Sequence, residues 1–152
     1  MFENFLSPME GRLIPMEQVP DEVFSGRIMG EGFAIEPTRG EVISPVDGTV
    51  TSFMADTRHA VGITAEDGAE VLIHVGIDTV KLGGSGFTGL VAQDDRVKAG
   101  QLLLEVDLEQ IRAKVPSLVS PVILMNLPAG QVVNVESGRA VKLGDKGFFS
   151  IG

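Results

Sequence analysis

The chain contains no cysteine, no tryptophan and no tyrosine, and only two histidines among its 152 residues. Without cysteine there is no disulfide framework, no thiolate metal site and no cysteine nucleophile, and a reducing cytoplasm is the simplest home. Positive charge is scarce. Twelve Lys and Arg stand against 21 Asp and Glu, giving a formal charge of -9 and a pI near 4.6. That balance excludes a basic surface tracking phosphates and a polybasic membrane patch, so nucleic acid is not an expected partner. Long apolar runs are missing as well. The start, MFENFL, lacks a basic n-region, and no later run approaches the ~20 apolar residues of a membrane span. A soluble, unexported protein without membrane insertion is expected.

What the chain has in quantity is punctuation. Nineteen Gly and 8 Pro cut it into short β-branched segments such as Gly48-Thr-Val-Thr-Ser-Phe53, Glu70-Val-Leu-Ile-His-Val75 and Gln101-Leu-Leu-Leu-Glu-Val106. These predict an all-β fold, a mainly antiparallel β-sandwich or compressed barrel, over a single domain at 1–152. Helical spacing is sustained once, near 107–115, where Leu108, Ile111 and Val115 share a side. Asp107 is placed to cap that helix, Gln110 to answer it and Pro116 to stop it. Gly83-Gly-Ser-Gly86 reads as a flexible connection.

An internal duplication is visible. Leu6-Ser-Pro-Met-Glu-Gly-Arg-Leu13 echoes Ile43-Ser-Pro-Val-Asp-Gly-Thr-Val50, and Val97-Lys-Ala-Gly echoes Val141-Lys-Leu-Gly. The repeat predicts one strand-turn-strand plan used twice. It is similar to the plan of swinging-arm domains that carry biotin or lipoate, but the chain is about twice such a module and has no Met-Lys-Met.

The two histidines flank the hairpin signal Asp67-Gly68. A two-residue turn there sets Thr64 opposite Val71 and Val61 opposite His74, with His59 two residues from Val61 and on the same face. The imidazoles become diagonal neighbours with Cβ atoms roughly 7 Å apart. Thr57 joins that face if the strand stays extended. A one-residue slip would separate the rings. Two neutral imidazoles and a hydroxyl suit phosphoryl transfer, which needs a nucleophile, in-line positioning and stabilised equatorial oxygens.

The run Gly68-Ala-Glu-Val-Leu-Ile-His74-Val-Gly-Ile-Asp-Thr-Val80 resembles the active-site signature of the glucose-class IIA component of the bacterial phosphoenolpyruvate-dependent sugar phosphotransferase system. The resemblance extends through Val19-Pro-Asp-Glu-Val-Phe-Ser-Gly26, Gly30-Glu-Gly-Phe-Ala-Ile-Glu-Pro37, Ser44-Pro-Val-Asp-Gly-Thr-Val50 and Thr57-Arg-His-Ala60. It implies that His74 accepts a phosphoryl group on Nε2 from the small histidine-containing phosphocarrier protein and passes it to the IIB domain of a sugar permease. It further implies that His59 stabilises the phosphoryl oxygens and Thr57 orients His59. By the same likeness Asp21 and Asp78 meet a basic partner, and Val23, Phe24, Ile28, Met29, Phe33 and Leu72 form an apolar docking face. No cofactor and no resident metal are implied; regulatory binding of other enzymes or transporters is, and a transient zinc at a partner interface is compatible with the two histidines. Two departures stand out: only five residues precede Leu6, where some members carry a longer amphipathic segment, so direct lipid attachment is not expected, and Ala55 is small where some members carry a bulky side chain.

The bland readings are that Asp78 bonds its own backbone in a turn, that Asp21 caps a short turn and that the apolar residues are core. The competing functional reading is a lysostaphin-like zinc metallopeptidase, from His74-x-x-x-Asp78, for which the chain lacks the further histidines that complete a catalytic zinc site.

Overall fold

The computed structural model describes residues 2–152. In chain order they form β1 (Gly11–Pro15), a 3-10 turn (Met16–Gln18), α1 (Glu22–Ser25), β2 (Gly32–Pro37), β3 (Glu41–Ile43), β4 (Gly48–Phe53), β5 (Ala60–Ala65) and β6 (Glu70–His74). A second 3-10 turn (Thr79–Leu82) leads to β7 (Phe87–Gly89), β8 (Arg96–Val97), β9 (Leu102–Val106), α2 (Leu108–Arg112), β10 (Ser120–Leu124), β11 (Val133–Val135), β12 (Ala140–Val141) and β13 (Phe149–Ile151). The largest sheet has eight strands in the order β12-β1-β2-β10-β6-β5-β4-β8, with β3-β9-β7 and β11-β13 as smaller sheets. The pairings are antiparallel, as the alternating segments predict.

The duplication is now geometric. The eight-stranded order is two equal halves facing each other across β10 and β6. Gly11 pairs with Val141 in one half and Gly48 with Val97 in the other. In both copies a fully buried serine hydroxyl turns the chain, Ser7 Oγ donating to the Met9 carbonyl at 2.8 Å and Ser44 Oγ to the Val46 carbonyl at 2.7 Å. Each copy also needs its glycine. A Cβ on Gly11 or Gly48 would stand 2.0 or 2.3 Å from a carbonyl oxygen of the facing strand.

Pleating sends Phe33, Ile35, Val61, Ile63, Val71 and Ile73 into the main core, where Phe33 packs against Phe5, Phe148 and Phe149. Phe33 is therefore not a docking residue: it is fully buried, and burying such a ring contributes about 1.5–3 kcal/mol that exposure would forfeit. On the outer face of β2, β10 and β6 lies a second cluster of Met16, Val19, Phe24, Ala34, Ile77, Val119 and Ile123, with Leu72 packed beside it. Its roof is the Met16–Ser25 segment. β10, covered on both sides, is buried at all five positions.

The helix near 107–115 is present and shorter, with the Asp107 carboxylate accepting from the Gln110 N–H at 3.1 Å and Leu108 and Ile111 buried. The Gln110 side chain does not return to the cap; it donates to Ser85 Oγ at 2.9 Å. α1 is an addition to the expected single helix. Four residues capped by Asp21 are too short to show a period.

Candidate functional site

His74 ends β6, and the alternation that buries Val71 and Ile73 leaves Leu72 and His74 half-buried on the outer face. The chain then turns sharply at Gly76, whose φ is +73° and where a Cβ would sit 2.6 Å from Thr79 Cγ2; only glycine fits. That turn is pinned on three sides. The Gly76 N–H donates to Ser120 Oγ at 3.0 Å, Thr79 Oγ1 donates to the Val75 carbonyl at 2.6 Å, and the Ile77 N–H donates to the Ser117 carbonyl at 3.0 Å. The fixed Gly76 carbonyl oxygen lies 2.9 Å from His74 Nδ1. Because a carbonyl only accepts, Nδ1 carries the proton and Nε2 keeps the lone pair. Gly76 and Ser120 are site residues that sequence reasoning missed. The glycine two places after His74 was the available signal for one, and nothing in the sequence ties the distant Ser120 to His74.

His59 reaches the site by a different route from the one expected. The turn is wider than Asp67-Gly68: the Gly68 N–H donates to the Ala65 carbonyl at 2.9 Å, Gly68 has φ +93°, and the Asp67 carboxylate accepts from the Ala69 N–H at 3.1 Å. A three-residue Glu66–Gly68 loop shifts the ladder by one, so Ala60, not Val61, stands opposite His74. On a straight strand this slip would send His59 to the opposite face. It does not, because β5 begins at Ala60 and Arg58 just before it is left-handed, with φ +53°. The broken alternation returns the ring, and the His59 and His74 centroids are 4.9 Å apart at 83°. The His59 carbonyl accepts from the Val75 N–H at 2.8 Å, which fastens the two histidine segments together.

Thr57 lies in the Met54–Arg58 turn, closed by the Arg58 N–H on the Met54 carbonyl at 2.9 Å, rather than on an extended strand. His59 Nδ1 is buried without a hydrogen-bond partner, so the Thr57 hydroxyl does not hold it in this structure. Phe24 packs on His74 with centroids 5.0 Å apart, and Asp21 holds α1 in place by accepting from the Val23 N–H at 2.9 Å. Asp78 is left-handed, with φ +60°; its carboxylate makes no capping bond and lies 3.7 Å from the Lys81 ammonium. Val23, Ile28 and Met29 are exposed, at 42%, 75% and 39%, whereas Phe24 is buried in the outer cluster and Leu72 packs against it. Met54 and Val80, also exposed, flank the two histidine segments and were absent from the expected face.

Burial sets the protonation state. Desolvation first, and then the charge of His59, push the His74 pKa from 6.5 down to about 4; the Gly76 carbonyl, Asp21 and Asp78 pull the other way. Burial also lowers His59. Both rings are thus neutral at pH 7. The unfolded chain takes up the His74 proton near 6.5 and the folded chain only near 4. This contribution to stability is complete above 6.5 and is lost as pH falls toward 4, by roughly 3 kcal/mol. Urea unfolding of the wild type and of His74→Gln between pH 7.5 and 4.5 should show the wild type losing that much more than the variant. Parallel pH profiles would contradict it.

Among the described residues no group of three or more His, Asp or Glu side chains gathers to hold a metal ion, so no third ligand completes a catalytic zinc site on His59 and His74. Among the described residues no helix is long and apolar enough to cross a membrane. Residues 3–129 match the family model described as phosphoenolpyruvate-dependent sugar phosphotransferase system, EIIA 1. A glucose-specific EIIA component from Bacillus cereus is 44% identical over 142 residues, covering 93% of this chain and 86% of that protein. Its counterpart from Bacillus anthracis is 45% identical over 136 residues, covering 90% and 82%. Among solved structures, glucose permease IIA from Mycoplasma capricolum superposes with a TM-score of 0.86 at 42% identity, covering 95% of this chain and 93% of that one. These similarities do not support the metallopeptidase reading.

Proposed function

The chain belongs to the EIIA 1 family of the phosphoenolpyruvate-dependent sugar phosphotransferase system, and from that premise we propose how its residues divide the work of a histidine phosphocarrier. His74 Nε2 attacks the phosphorus of the donor's phosphohistidine in line, forming one P–N bond as the donor's P–N bond breaks. The donor ring departs with the electron pair. No base is required, because His74 arrives neutral and keeps its Nδ1 proton. The phosphorylated ring then carries a positive charge, and its N–H bond to the Gly76 carbonyl becomes charge-assisted. Asp21 and Asp78 favour that charge, as they favour protonation of the free ring. A ring poised in this way is a good leaving group for the next acceptor, the IIB domain.

The observation that carries this reading is the pairing of His59 with His74, edge to face, beside an imidazole whose proton is committed to a carbonyl. His59 shares the phosphoryl oxygens, and Thr57 turns to hold its free Nδ1 once the dianion is in place. Val23, Ile28 and Met29, with Asp21 and Asp78 at the rim, receive the small histidine-containing phosphocarrier protein and IIB, each offering a basic side chain among apolar ones. Residues 1–152 act as one IIA unit in the cytoplasm. The roughly two negative charges added to an apolar face on phosphorylation would reject enzymes or transporters that bind the unmodified form.

Incubating the protein with phosphoenolpyruvate, enzyme I and the small carrier, followed by intact mass at neutral pH, should show one acid-labile phosphate. Absence of that adduct with active donor present would overturn the reading.

A further inference from the structure

Arg58 stands between Thr57 and His59 and is the cationic side chain of that turn, which the reaction leaves unused. Among the described residues it makes no ion pair and no side-chain hydrogen bond, and its Nε is buried without a partner, in a chain of net charge -9. Its guanidinium lies under the bare α-carbon of Gly84: a Cβ there would stand 2.7 Å from Arg58 Nη2, 2.9 Å from Nε and 2.5 Å from the Asp56 carbonyl oxygen. The arginine stem runs past Gly89, where an added Cβ would be 3.5 Å from Cδ. An arginine packed through its stem against bare backbone acts by shape as well as charge.

The loop it meets is not the flexible connection its glycines suggest. Gly83, Gly84 and Gly86 are all left-handed, at +59°, +88° and +89°, and Ser85 accepts from Gln110 of α2 at 2.9 Å. A Cβ on Gly86 would lie 2.5 Å from Ile111 Cγ2, so the loop rests directly on the buried face of α2. The loop is an anchor. The Met54–Arg58 turn, by contrast, is exposed at Met54, Ala55 and Asp56 and is closed by a single N–H on the Met54 carbonyl.

We infer that Arg58 is a positioning residue, clasping the turn that carries Thr57 and His59 to the Gly83–Gly86 anchor downstream of His74 and so holding His59 against its partner ring. A direct field on the phosphoryl group is the lesser explanation. Burial lowers His59, and burial, the His59 charge, the Gly76 carbonyl, Asp21 and Asp78 act on His74; Arg58 is among the causes of neither shift.

The inference rests on the phosphocarrier reading for its kinetic arm only. In Arg58→Ala, onward transfer should fall by about one to two orders of magnitude, as for a small misplacement of a reacting group, while acceptance changes little. The His59 imidazole resonances should broaden, and their titration should move up toward the ordinary value near 6.5. Gly84→Ala should reproduce this signature from the anchor's side, and Arg58→Lys, which keeps a stem and a cation, should restore most of the wild-type behaviour. Unchanged His59 resonances with unchanged transfer in Arg58→Ala would overturn the inference. So would an equal fall in both transfer steps with a lower melting temperature and no change at His59, which would make Arg58 a purely structural contact. Should the wild type accept no phosphate at all, the functional reading fails, and the His59 titration still decides the clasp.

Discussion

Replacing His74 by Gln is expected to remove phosphate acceptance altogether, with no labelled protein after exhaustive incubation with phosphorylated donor. The carboxamide fills similar space, but its nitrogen lone pair is delocalised into the carbonyl and cannot displace a phosphohistidine. The fold should survive, because His74 ends a strand whose hydrogen bonds are backbone ones, and the near-ultraviolet and far-ultraviolet spectra should match the wild type. Residual acceptance above a few per cent would mean that another group is the carrier. His59 is then the sole other imidazole.

His59→Gln should behave differently. In the proposed division of roles His59 acts on departure of the phosphoryl group rather than on its arrival, so acceptance should fall by less than tenfold. On that proposal departure is oriented by this chain, and without the ring whose centroid lies 4.9 Å from that of His74 the dianion would lose the group that shares its oxygens. Removing one such stabilising group costs on the order of 10²–10³ in rate, which is the expected loss in transfer to IIB. Quench-flow measurement of both half-reactions separates the steps. Loss of acceptance with intact onward transfer would reverse the roles assigned to the two histidines.

Much of the architecture was legible because it is written in strong local signals. The Ser-Pro-x-acid-Gly repeats predicted a doubled plan, and the same serine bonds and close glycine contacts appear in both copies. The meeting of His59 and His74 was reached from a register that is wrong by one residue. Asp-Gly fits both a two-residue and a three-residue loop, and the difference is decided by a hydrogen bond that composition does not reveal. The error was cancelled by the left-handed backbone at Arg58, a conformation that a non-glycine residue does not announce. For the same reason Thr57 was placed on a strand that begins only after it, at Ala60. Phe33 was assigned to the surface and Gly83–Gly86 to a loose linker because both judgements need tertiary contacts, from Phe5 and Phe148 in one case and Ile111 in the other.

The two halves of the large sheet are not equivalent in what they carry. Laying Gly11–Pro37 over Gly48–Ala65 places Glu31 where His59 stands, and laying Val122 over Ile73 places Ile123 where His74 stands. The backbone agrees, since the Leu124 N–H donates to the Glu31 carbonyl at 2.9 Å just as the Val75 N–H donates to the His59 carbonyl at 2.8 Å. This twin position is sealed. Ile123 lies wholly beneath the Met16–Ser25 roof, and Glu31 is turned to the Arg27 guanidinium at 2.9 Å. The roof that seals it also contributes Phe24, the wall against which His74 rests. The vestigial hollow thus serves as a buttress for the working one, and restoring its symmetry with a second pair of imidazoles would dismantle the shelter that keeps the first pair uncharged.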